Sequence, residues 1–235
     1  MLVVVGIPAW QPAADDPAKG RAAGPAVEVA RGAVAAGARV ELVGKVGDDP
    51  VADRLLLDLA RAGIGHVAVL RDPGLPTRVL PPAPPRDADA TADEDDAIRL
   101  ALEVDTPEVA GSDGRSRWPP AGSPDLVLEA ADLELALRYL IDFRVLVVAD
   151  DLAAPAVRVV GDAAAFAGAT LVAVAAAGSA PTLPEDATVL ERPDEDPEAE
   201  FARLVGSYAA ALDHGEAPEE AFQRVTAERG WEPTG

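Results

Sequence analysis

The chain has no cysteine, which excludes disulfides, thiolate zinc sites and cysteine nucleophiles. Aromatic residues supply only 4% of its 235 residues, although 49% are hydrophobic. Its core must therefore be built from Ala, Val and Leu, with helices packed tightly on a sheet. Histidine occurs twice, at His66 and His214, far apart and with no ligand spacing around either, so no metal site is expected. Positive charge is also short. Twenty Lys and Arg stand against 41 Asp and Glu, a formal net charge of −21. Such a field repels phosphate backbones and anionic lipid surfaces, so neither nucleic acid nor membrane is an expected partner. No apolar run approaches the roughly 20 residues that span a bilayer. The opening "MLVVVGIPAW" lacks a basic flank and a cleavage-site pattern, and reads as a buried first strand of a cytoplasmic protein.

What is present is an alternation of strand and helix. Residues 2–6 form a continuous apolar run bounded by Gly and Pro, the mark of a strand covered on both faces. Residues 25–36 are Ala-rich and helical, and 39–44 read as a second strand. Asp49 is placed to cap a helix with Pro50 at its first position, and that helix stops at Gly63. Short strands are predicted near 66–70 and 77–80. Further on, 131–142 and 155–169 read as helices, and 143–150, 170–178 and 187–193 as strands. Asp196-Pro197-Glu198 opens a helix whose apolar positions 201, 204, 205, 208 and 212 keep helical spacing. A last helix begins at Pro218. The pattern predicts one α/β domain over 1–235, doubly wound, with a mostly parallel sheet and helices on both faces. Residues 81–124 interrupt it as an irregular insertion rich in proline and acid, with a strand predicted at 98–104. The aspartates at 87, 89, 93, 95 and 96 lack the glycine and closing Glu of a calcium loop and read as a solvated acidic stretch.

Three stretches agree together in residue type and spacing: Ala23-Gly24-Pro25-Ala26-Val27-Glu28-Val29-Ala30, then Gly37-Ala38, then Gly44-Lys45-Val46-Gly47-Asp48-Asp49. They resemble the ribokinase-like (PfkB) carbohydrate kinase family. That family carries Gly-Gly-Pro-Ala-Ala-Asn-Val-Ala, a helix, Leu-Gly-Ala, and a strand ending Gly-Val-Gly-Asp-Asp. "GSYAAALDHGEAPEEAF" is similar to its closing helices. The resemblance implies a doubly wound fold with a small β lid over the substrate, and phosphoryl transfer from ATP to a sugar or nucleoside hydroxyl. It implies substrate-binding roles for Gln11, Gly24, Glu28, Gly47 and Asp48, a small polyol as ligand, and a homodimer as a form the protein can take. Glu28 stands where the family has Asn; it can bond hydroxyls or simply face solvent.

The chemistry of such a kinase needs a base, a glycine-lined helix start that cradles the phosphate and a nucleotide pocket with magnesium. The family places Asp-Thr-Thr-Gly-Ala-Gly-Asp-Ala-Phe at that helix start. Asp196 matches its first Asp, Gly-Ala-Gly becomes Ala199-Glu200-Phe201, and the base position becomes Ala202. No catalytic residue is then assigned. Loss of a positioned base costs about 100- to 10,000-fold in rate, and a Glu200 carboxylate beside a phosphate charge costs on the order of 4 kcal/mol. The family's Asn-x-x-Glu and Thr-x-Gly-x-x-Gly segments are missing, "GSAPTLPEDATVLERP" standing in their place, and the lid between Gln11 and Gly24 is shortened. Other chemistries lack their motifs: "GIPAWQ" has one glycine where a dinucleotide fold needs three, and no Walker loop, nucleophile elbow or Ser-His-Asp order is present. Two expectations remain. One is a degenerate homologue that binds a sugar or nucleoside, or serves as a regulator or scaffold, with no cofactor. The other is an active ATP-dependent kinase with a rebuilt nucleotide site, needing ATP and Mg.

Overall fold

The computed structural model describes residues 1–14, 16, 19–82, 126–176, 183–184, 186–193, 196 and 199–228. The chain runs through β1 (Leu2–Val5), β2 (Ala9–Pro12), β3 (Gly20–Ala23), α1 (Pro25–Ala35), β4 (Val40–Gly47), α2 (Pro50–Arg61) and β5 (Gly65–Asp72). It continues as α3 (Ala130–Leu137), β6 (Val145–Val148), α4 (Ala154–Ala167), β7 (Thr170–Ala176), β8 (Thr188–Arg192), α5 (Glu200–Asp213) and α6 (Pro218–Glu228).

Six strands form one sheet in the order β5-β4-β1-β6-β7-β8, and every pairing in it is parallel. β1 lies inside it, with β4 and β6 on its two edges and its four residues fully buried. That is why its sequence is unbroken valine and leucine rather than an alternation. Alternate residues still serve opposite cores. Leu2 and Val4 pack with Val40, Leu42, Val145 and Val147 under α1, α2 and α5. Val3 and Val5 pack with Val43, Leu146 and Val148 under α3 and α4. The doubly wound architecture read from the sequence is thus the one observed.

β2 and β3 form a separate antiparallel pair. Trp10 ties this pair to the chain after β5: its amide donates to the Arg78 carbonyl at 2.8 Å, and its carbonyl accepts from the Leu80 amide at 2.8 Å. The strand predicted at 77–80 is therefore one isolated bridge between Trp10 and Val79. The helix predicted over 131–142 stops at Leu137, and Leu140 and Phe143 beyond it turn into the core. The helix predicted from 196 starts at Glu200, because Ala199 takes left-handed backbone angles, φ 55° and ψ 34°, that no α-helix accommodates. The insertion over 81–124, apart from Pro81 and Pro82, the strand at 98–104, the aspartates within it, Pro197 and Glu198 lie outside the described residues.

Candidate functional site

From β1 the chain steps outward through β4 to β5, then returns to the other side of β1 for β6, β7 and β8. The order reverses between β1 and β6. Open parallel sheets bind ligands in the crevice past the carboxyl ends of their strands at such a reversal. A cavity of about 710 Å³ lies there, with Ile7 following β1, Asp150 following β6, Val174 on β7 and Arg192 at the end of β8 on its wall. Gln11 and Arg21 close it from the β2–β3 pair, and Gly24 and Glu28 from the start of α1.

The structure therefore brings Gln11, Gly24 and Glu28 together, as read from the sequence. Gly24 precedes α1 with φ 105°, a backbone that side chains rarely tolerate. Glu28 does not face solvent; it is 3% exposed. One carboxylate oxygen accepts from Arg21 Nη1 at 2.6 Å, and the other from Arg203 Nε and Nη2 at 3.1 and 2.9 Å. Gln11 Oε1 accepts from Arg21 Nε at 3.3 Å. Lid strand, α1 and α5 are joined through this one acid.

Gly47 and Asp48, grouped with Gln11, Gly24 and Glu28 in the sequence reading, do not line this cavity. The turn they belong to serves the β4–α2 junction instead. Gly47 donates its amide to Thr77 Oγ1 at 3.0 Å, and Asp48 is exposed and paired with Arg71 at 3.2 Å. Asp49 caps α2, accepting from the amides of Val51 and Ala52, and also holds the amide and hydroxyl of Thr77 at 2.7 and 2.8 Å. Burial alone would push its carboxyl up, but these bonds together outweigh burial and hold it below its ordinary range.

At the start of α5, Ala199, Phe201 and Ala202 line the cavity and Glu200 does not. The carboxylate that guards this helix start is Asp196, not Glu200. It accepts from the amides of Phe201 and Ala202 at 3.2 Å each, which are donors a bound phosphate would need. The side chains of Ala199 and Phe201 stand where glycines would open a cradle. Among the described residues, this helix start therefore presents no glycine-lined cradle for a phosphate. Among the described residues no three acidic or histidine side chains gather as a metal-ligand set.

Asp150 is the functional candidate that sequence reasoning missed. Its Oδ2 accepts from the Ile7 amide at 2.6 Å, across the gap between β6 and β1. Desolvation raises its proton affinity above the ordinary carboxylate value; the Ile7 bond and the charges of Arg78 and Arg192 oppose the rise, and Asp151 adds to it. The available signal was positional: an Asp directly past a valine strand of a parallel sheet occupies the crevice mouth.

No protein-family model and no curated protein matches the chain. Its backbone does match solved structures. One is Arabidopsis thaliana ribokinase complexed with ribose and ATP, at TM-score 0.56 and 14% identity, covering 96% of this chain and 90% of that one. An E. coli protein provisionally named ribokinase II, solved with ATP and magnesium, gives 0.56 and 12% with the same coverage. A Staphylococcus aureus protein provisionally named a phosphofructokinase gives 0.56 and 12%, covering 97% of this chain and 90% of that one. The fold is ribokinase-like. Within this ribokinase-like frame the cavity lies between the two-stranded lid and the strand ends, and among the described residues its acidic wall residues are Glu28, Asp150, Asp151 and Asp196.

Proposed function

We propose that this chain binds a small hydroxyl-rich molecule, a sugar or nucleoside, in the cavity beneath its lid and does not transfer phosphate. The observation that carries this is the start of α5. Ala202 stands at the base position, and the amides of Phe201 and Ala202 already hold the Asp196 carboxylate. Gln11 and Asp150 supply hydroxyl-bonding oxygens on the wall. The cavity, about 710 Å³, is of the size that takes ligands of this class.

The test is a panel of pentoses, hexoses and nucleosides with ATP and magnesium, followed for phosphorylated product, beside thermal shifts with each compound. The expected result is no turnover and a shift with a member of the panel. Magnesium-dependent turnover above background sinks the proposal.

One observation favours the alternative, an active ATP-dependent carbohydrate or nucleoside kinase. Asp150 offers the cavity a carboxylate of raised proton affinity, a property that suits a general base. If turnover is found and Asp150→Asn lowers kcat by about 100-fold or more, the kinase reading replaces the binding reading.

A further inference from the structure

Most charges on the cavity wall already have partners. Glu28 carries Arg21 and Arg203. Asp196 carries two helix amides, and Asp150 carries the amide of Ile7. Arg192 differs. It ends β8, is half-buried, lines the cavity, and makes no hydrogen bond or ion pair among the described residues. It lies near enough to Asp150 for their charges to attract.

A guanidinium presents five N–H donors in a rigid planar fork and keeps its charge at all accessible pH. Half-buried at the cavity wall, with no hydrogen-bond acceptor among the described residues, it leaves that fork to water or to whatever enters the cavity. The groups that match the fork are carboxylate and phosphate, taken two bonds at a time. We propose that Arg192 receives an anionic group of the ligand, so that the cavity takes a sugar acid or a sugar phosphate in preference to the neutral sugar. The hydroxyls then find oxygen partners on the same wall in Gln11 and in Asp150, the acid beside Arg192. This deepens the binding function proposed above and rests on it.

The chain's net charge of −21 opposes an anion at long range. That opposition is screened within about 8 Å at physiological salt, whereas a two-bond contact acts at hydrogen-bond distance. Of the acids on the wall, Glu28 and Asp196 are engaged as above. Asp151 is exposed to water.

The experiment measures binding of D-ribose, D-ribose 5-phosphate, D-gluconate and inorganic phosphate by calorimetry at fixed ionic strength, to the wild type, Arg192→Gln and Arg192→Lys. A charged sugar is expected to bind about 10- to 100-fold more tightly than D-ribose, the worth of a hydrogen bond to a charged group. Arg192→Gln is expected to erase that margin and Arg192→Lys to keep part of it. Circular dichroism checks that both variants are folded. Which of gluconate and ribose 5-phosphate binds better identifies the anion as carboxylate or phosphate. Equal affinity for D-ribose and both charged sugars, a margin that survives Arg192→Gln, inorganic phosphate binding as tightly as ribose 5-phosphate, or no binding by any probe each overturns the proposal. Phosphotransfer in the panel above sinks the earlier reading alone, and equal binding of neutral and charged sugars sinks this one alone.

Discussion

Removing the charge of Glu28 leaves Arg21 and Arg203 near one another with no acid between them. Deleting one partner of a fully buried ion pair costs about 3–5 kcal/mol. Both arginines here keep more than a third of their side-chain surface in water, 38% and 39%, so solvent relieves part of that. Glu28→Gln is expected to lose about 1–3 kcal/mol in urea unfolding; an unchanged midpoint would mean that the acid is dispensable to the fold. Two other acids give opposite pH signatures. Asp49 is held below its ordinary 3.8, so its stabilisation is present above that value and is lost as pH falls through the lowered one. Asp49→Ala is expected to cost about 1–2 kcal/mol at pH 7 and nothing extra in strong acid. Asp150 is raised above 3.8, so the folded state holds its proton more tightly and stability declines as pH climbs from there through the raised value. Asp150→Asn, able to keep the Ile7 bond through its carbonyl oxygen, is expected to gain on the wild type between pH 3 and pH 7. A constant difference across that range contradicts the assignment. Gln11, Gly24 and Glu28 were legible in sequence because glycine and proline fix the turn that presents them. Asp150 was not, since a valine run announces a strand and says nothing of what lies past its end.

Helices α1 and α5 approach so closely that neither could carry a side chain at the crossing. A Cβ on Gly206 would run into the Val29 carbonyl oxygen and the Ala33 amide, and one on Gly32 into the backbone of Arg203. Alanine is the better helix former by about 1 kcal/mol. Here overpacking, worth about 1–3 kcal/mol or more, wins because the obstructing atoms are backbone and cannot rotate aside. Gly206→Ala is expected to lower the melting temperature, and a rise would show that the crossing has room for a methyl group. The elements with punctuation in their sequence were the readable ones. Asp49 and Pro50 announced α2, and the valine runs announced β1 and β6. The start of α5 was not readable in detail. Asp196 looks like an ordinary cap, but it reaches the amides of Phe201 and Ala202 only because Ala199 adopts the left-handed region, a cost on the order of 1 kcal/mol that no propensity would predict for alanine. Likewise the shortening of α3 follows from burial of Leu140 and Phe143, which is decided by the sheet beneath them.

The whole molecule combines a sheet whose strand order creates one reversal with a composition that makes nearly the entire chain repel itself. With 41 acids and 20 bases, even complete pairing leaves half the carboxylates without a counter-charge. Added salt acts on two opposed terms. It weakens surface ion pairs such as Arg71 with Asp48 and Asp53, each worth about 0–1 kcal/mol. It also screens the surplus acids from one another, shrinking the range of repulsion from about 30 Å at 0.01 M to about 3 Å at 1 M. The surplus exceeds what pairing can supply, so the second term is larger, and stability is expected to rise with sodium chloride. For a chain of this size each kcal/mol corresponds to about 2–4 °C in melting temperature, so the rise is readable by differential scanning calorimetry. Glu28→Gln discriminates between the two terms. It removes one buried negative charge held by two arginines, so its cost should persist in high salt, whereas neutralising an exposed acid outside the ion pairs above, such as Asp142, should help at low salt and make no difference at 1 M. If melting temperature instead falls as salt is added, the ion pairs of this fold outweigh its self-repulsion, and the surplus acids are better placed than their number implies.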